Sequence, residues 1–185
     1  MKIAIMAESI GQKMTGQGRV ALNIITYLLK NNKNIDLTII GSEYLKSLDI
    51  DTKKIIYNRQ GPVEKISNYI KLVNNLNKEK IDLIHCPSNY GPPYFWFLKT
   101  NKVRTIYDAS GPEMYKVLHH TRQIRLQINF KCLGGIIDRV ATISKSSKTE
   151  IVEHFGFNDD KIDVIYLGVD EKFKPLDRSN CKKII

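Results

Sequence analysis

The sequence predicts a doubly wound α/β fold: a parallel sheet with helices on both faces. Short apolar runs alternate with amphipathic segments along the whole chain, and its 185 residues supply enough apolar side chains for the core of one ordinary domain. The clearest instance is residues 138–176, which read as strand, capped helix, strand and turn.

Residues 2–7 form the first strand-like run. Residues 19–29 follow, with Val20, Leu22, Ile24, Ile25, Leu28 and Leu29 at the spacing of a helix that buries one face. Residues 35–41 are the next strand and 53–57 a weaker one. Residues 62–76 are helical, with Val63, Ile66, Ile70, Val73 and Leu76 along one side and Pro62 suited to the first turn. Residues 81–86 and 103–107 are strands, separated by a Pro- and aromatic-rich stretch. Residues 139–143 form a strand, Ser144 is the N-cap of a helix over 145–155, and Gly156 ends it. A last strand over 162–167 closes at Gly168-Val169-Asp170. In such sheets ligands bind outside the carboxyl ends of the strands, so the loops there hold the candidate site residues.

The formal charge is +10. Many lysines, such as Lys30, Lys33, Lys53 and Lys54, occupy ordinary solvated positions. Residues 116–148 differ: Lys116, Arg122, Arg125, Lys131, Arg139, Lys145 and Lys148 meet only Asp138 within the stretch. It suits anionic lipid headgroups or a phosphorylated acceptor, and nucleic acid ranks last because no nucleic-acid-binding motif accompanies the charge. Cys86, Cys132 and Cys181 lack the spacing of a disulfide framework or a zinc site. The first apolar run meets Glu8 too early for a signal peptide, and a cytoplasmic protein is expected.

The loop after the first strand contains Thr15-Gly16-Gln17-Gly18-Arg19. Glycines there let the backbone approach a ligand, and the free amides of a helix start suit a phosphate oxygen. The GxGxxG spacing of a dinucleotide-binding oxidoreductase is missing, as is an acidic residue closing the second strand. Asp82-Leu83-Ile84-His85 and Thr105-Ile106-Tyr107-Asp108 place polar groups at the ends of two further strands. His85 is read as a loop anchor or a hydroxyl-binding group, and Asp108 as a site carboxylate or a turn residue. Tyr90, Tyr94, Phe95 and Trp96 are read as a platform for a sugar or lipid face, or as core. His119 and His120, adjacent on a helix, point about 100° apart and make a poor metal pair.

Asp138, Ser144, Ser147, Lys161, Val164, Ile165, Gly168, Val169, Asp170, Phe173 and Pro175 stand in the order in which such residues close the N-terminal domain of the group 1 (family four) retaining glycosyltransferases. The chain resembles that Rossmann-like domain, the N-terminal half of the two-domain GT-B architecture. The resemblance implies an acceptor-side domain over 1–176, with 177–185 as linker and first strand of a nucleotide-sugar domain. The Glu, seven residues, Glu signature of that second domain has no counterpart here, since no two glutamates stand eight positions apart. The implied activity of the full-length protein is sugar transfer from a nucleotide-sugar to a hydroxyl acceptor with retention, without a metal or other cofactor. The chain alone is expected to be inactive.

Carried over residue by residue, the resemblance puts Gly16, Gly18 and Arg19 at the donor phosphates. It puts Asp108 and Tyr107 at the reacting sugar, and His85, Asn89 and Glu113 in the sugar or acceptor cleft. Arg122 and Arg125 lie toward an acceptor or an anionic membrane. Tyr107 stands where most of the family has histidine, and a phenol can donate a hydrogen bond but cannot carry positive charge near neutral pH. Val169, Phe173 and Pro175 are expected to pin the chain as it leaves the domain. The competing reading is a standalone Rossmann-like module that binds a nucleotide or an anion without catalysis.

Overall fold

The computed structural model describes residues 1–57, 62–89, 91–108, 130, 134–169 and 173. Among the described residues, seven strands form one sheet: β1 (Lys2–Met6), β2 (Asp36–Gly41), β3 (Lys53–Ile56), β4 (Leu83–Cys86), β5 (Asn101–Thr105), β6 (Arg139–Thr142) and β7 (Ile162–Val164). They lie in the order β3-β2-β1-β4-β5-β6-β7, and every pairing is parallel. Three α-helices are described: α1 (Gly16–Asn31), α2 (Pro62–Lys78) and α3 (Lys145–Phe155).

Alternation along the strands divides the core between the two faces of the sheet. Ile3 and Ile5 of β1 and Leu37 and Ile39 of β2 pack with Ala21 and Ile25 of α1. Ala4, Met6, Ile40 and Ile84 turn to the other face, where they join Leu72, Val73 and Leu76 of α2 and Ile151 of α3. Helices therefore cover both faces, as expected of a parallel sheet whose strands are buried on both sides. Carboxylates tie the amino ends of neighbouring strands together. Asp82 Oδ2 accepts from the Lys2 amide at 2.7 Å, and Asp138 Oδ2 accepts from the Lys102 amide at 2.7 Å.

All seven expected strands are present, and several bounds differ. β7 ends at Val164, and Ile165, Tyr166 and Leu167 leave the sheet exposed, although the Ile165 amide still donates to Thr142 O at 2.7 Å. The first helix begins at Gly16 rather than at 19, because Thr15 caps it: its Oγ1 accepts from the Gly18 amide at 3.1 Å. Ser144 caps α3 in the same way, accepting from the Ser147 amide at 3.0 Å, and Gly156 ends it in the left-handed region at φ 68°.

Along α2, Val73 and Leu76 are buried as expected, whereas Ile66 and Ile70 are exposed. The packed face is rotated toward Tyr69, whose ring sits 4.9 Å from Tyr94 and 6.1 Å from Tyr57. Tyr94 and Phe95 are core. Trp96 and Phe97 are exposed, but the Phe97 carbonyl accepts from Asn77 Nδ2 at 3.0 Å near the end of α2. That places the turn at the amino ends of the strands, away from the expected sugar platform; Tyr90 lies outside the described residues.

The expected basic surface is partly spent on structure. Arg139 grips the Asp163 carboxylate of the adjacent strand at 2.5–3.0 Å, and Lys148 Nζ meets Asp159 at 3.0 Å. Arg122 and Arg125 lie outside the described residues, as do Lys116, Lys131, His119, His120, Cys132 and Cys181. Val169 and Phe173, expected to pin the departing chain, are exposed at 79% and 66%, while Asp170 and Pro175 fall outside the described residues. Among the described residues, no helix is long and apolar enough to cross a membrane.

A Cβ on Gly18 would lie 2.4 Å from Ser9 O, and one on Gly16 would meet nothing within 4 Å. Gly18→Ala is therefore expected to destabilise the domain by about 1–3 kcal/mol through overpacking against backbone, and Gly16→Ala to leave stability level or slightly raised. Urea unfolding of the two variants checks this; equal effects would refute it.

Candidate functional site

β1 pairs with β2 on one side and β4 on the other, so the chain leaves β1 and β4 toward opposite halves of the sheet. Such a divergence opens a crevice at the carboxyl ends of the strands. The open cleft found there has a volume of about 540 Å³ and is lined by Thr15, Gly16, Gln17, Val20, Tyr107, Asp108 and Leu167. One wall is the first turn of α1, which carries no acidic residue. The amides of Gly16 and Gln17 at that turn have no intrahelical acceptor, so this end of the helix favours a negatively charged group.

Asp108 faces that turn across the cleft and is exposed. Its Oδ1 accepts from Asn89 Nδ2 at 3.2 Å. Asn89 also receives the Tyr107 amide on its Oδ1 at 2.7 Å, so a single side chain joins the loops that follow β4 and β5. Ser88 Oγ donates to Gln17 Oε1 at 3.3 Å, linking the β4 loop to α1 across the divergence.

Tyr107 is buried, and its hydroxyl donates to Pro87 O at 3.4 Å rather than pointing into the cleft. Burial, with a smaller contribution from Cys86, pushes its phenol up to about 12. What Tyr107 presents to the cleft is therefore an apolar wall beside Val20 and Leu167. His85 lies on the α1 side of the sheet, where its Nε2 and Thr105 Oγ1 share a hydrogen bond of 2.9 Å. Burial lowers its imidazole to about 4, so the ring is neutral at physiological pH. It holds β4 to β5 and does not line the cleft.

The glycine pair divides its work. Gly16 borders open space, whereas Gly18 has its amide taken by Thr15 and its missing side chain replaced by Ser9 O. Arg19 is exposed and is not among the lining residues. Glu113 lies outside the described residues. Gln17, Val20 and Leu167 also line the cleft, although the sequence offers no signal that separates them from ordinary loop and helix residues.

The profile of Glycosyltransferase Family 4 matches residues 14–173, and the chain belongs to that family. A comparison with curated proteins finds no match. Among solved structures, the chain resembles HepE of Anabaena in complex with UDP: TM-score 0.65, 16% identity, covering 100% of this chain and 49% of that one. It resembles a glycosyltransferase of Rickettsia africae at TM-score 0.62 and 21% identity, covering 99% and 48% of the two chains. A UDP-GlcNAc 2-epimerase of Methanocaldococcus jannaschii gives TM-score 0.58 at 16% identity, covering 89% and 45%. The chain thus spans about half the length of these proteins and has the fold of a GT-B N-terminal half.

With a folded pKa near 4 against an ordinary 6.5, His85 binds a proton less readily in the folded chain than in the unfolded one. Its contribution to stability is whole above pH 6.5 and is lost as pH falls toward 4. The loss reaches at most roughly 3 kcal/mol, reduced by the solvent that still reaches the ring. Unfolding free energies of wild type and His85→Gln at pH 7, 5.5 and 4.5 should show a flatter decline in the variant; parallel declines would rule this out.

Proposed function

We propose that the complete protein transfers a sugar from a nucleotide-sugar to a hydroxyl acceptor with retention of configuration, this chain supplying the acceptor-side lobe. The observation that carries the reading is one cleft in which the Asp108 carboxylate faces the first turn of α1. The Gly16 and Gln17 amides offer partners to a phosphate oxygen of the donor, as the positive end of a helix does for anions generally. Asp108, acceptor-only when ionised, takes a hydrogen bond from a hydroxyl of the sugar or acceptor and so orients it. Tyr107, Val20 and Leu167 shape an apolar wall against which a sugar face packs. The structure of HepE with UDP and glucose supports a nucleotide-sugar as the donor class.

In this reading residues 1–176 are the acceptor-side domain and 177–185 lead into a nucleotide-sugar domain. No metal or other cofactor takes part, and the protein works in the cytoplasm. Arg122 and Arg125 serve an anionic acceptor or membrane, and nucleic acid is not a partner. Charge developing on the departing diphosphate needs donors from both lobes, so one lobe should not turn over.

Across a panel of UDP-, GDP- and ADP-sugars, the complete protein should release nucleoside diphosphate from at least one. Asp108→Asn should lower kcat/KM by about 100-fold, the scale set by losing one well-placed polar group. The 185-residue chain alone should release none, and any turnover by it would contradict the proposal. Binding without turnover by the complete protein would instead favour a non-catalytic binding module.

A further inference from the structure

We propose that Arg104 is a positioning residue for the Asp108 carboxylate, acting through Asn89; this rests on the reading that places Asp108 in the reacting cleft. Arg104 is fully buried in β5, directly opposite Cys86 of β4. Its guanidinium lies over the Phe130 ring, 4.7 Å from the centroid. Nε donates to Ser88 O at 3.4 Å, and a terminal nitrogen donates to Asn89 O. A planar fork thus holds two consecutive carbonyls of the loop that leaves β4, which a lysine, as a point charge, could not do in the same way.

With its backbone held from below, Asn89 spends its side chain on the neighbouring loop. Oδ1 accepts from the Tyr107 amide at 2.7 Å, and Nδ2 donates to Asp108 Oδ1 at 3.2 Å. Ser147 Oγ closes the arrangement from α3 by donating to Tyr107 O at 3.0 Å. The contacts therefore run from a buried cation through one loop to the carboxylate of a residue that lines the cleft. A guanidinium is costly in an apolar core, and a similarly long apolar side chain would fill the same space without that cost. What it would not do is fix the two carbonyls.

The test uses Arg104→Met and Asn89→Ala in the complete protein. Each should lower kcat about 10- to 100-fold, the loss expected when a reacting group is misplaced by about 1 Å. The double variant should fall no further than about threefold below the worse single, because both act in one chain of contacts. In both single variants hydrogen exchange at the Tyr107 amide should quicken, while the amides within β4 and β5 stay protected. Unchanged exchange at Tyr107, unchanged kcat, or losses that multiply in the double variant would each overturn the proposal. If Arg104→Met does not fold, Arg104→Lys replaces it, and Asn89→Ala, outside the core, decides in any case. If the complete protein transfers no sugar, the functional reading fails, while Tyr107 exchange still decides whether the clamp exists.

Discussion

β1 is hydrogen-bonded in parallel to β2 over five residue pairs and to β4 over three, and that double pairing forces the rest of the architecture. A parallel strand cannot be reached by a tight turn, so each connection crosses a face of the sheet on its way back. α1, connecting β1 to β2, covers one face; α2, running from β3 to β4, packs on the other with α3. The connections part where β1 meets β4. The helix start and the loops at that end cannot close over one another there, and the cleft is the space left between them.

That space is lined by both polar and apolar residues. Arg104, a cation that the sequence alone would send to the surface, is used internally to hold carbonyls, and Arg139, at the surface, is spent on joining β6 to β7. Part of the chain's positive charge is therefore structural. The groups in the cleft that suit an anion are backbone amides at the start of α1, which carry no formal charge.

The family match fixes the lineage, while the solved structures show how little the fold by itself says about the reaction. Glycosyltransferases and a UDP-GlcNAc 2-epimerase share this half-chain architecture at 16–21% identity. The common element is the parallel sheet with helices on both faces. What distinguishes the reactions lies in the side chains set on that architecture.

The sequence by itself determined the strand count, the parallel architecture and the family. These depend on apolar periodicity and on local caps such as Ser144 and Gly156, both of which are written within a few residues. It also pointed to the loops that hold Gly16 and Asp108, which line the cleft, because loops at strand ends are legible once strands are placed. Only the tertiary structure decided which residues face the cleft. Gly18 is filled by Ser9, Tyr107 turns its hydroxyl to Pro87, and His85 is tied to Thr105, each through a partner no closer than 9 positions along the chain. Arg104 is the sharpest case: a lone cation in an apolar run is visible in the sequence. Its purpose appears only where β5 lies beside β4 and carbonyls 15 and 16 residues away come within its reach.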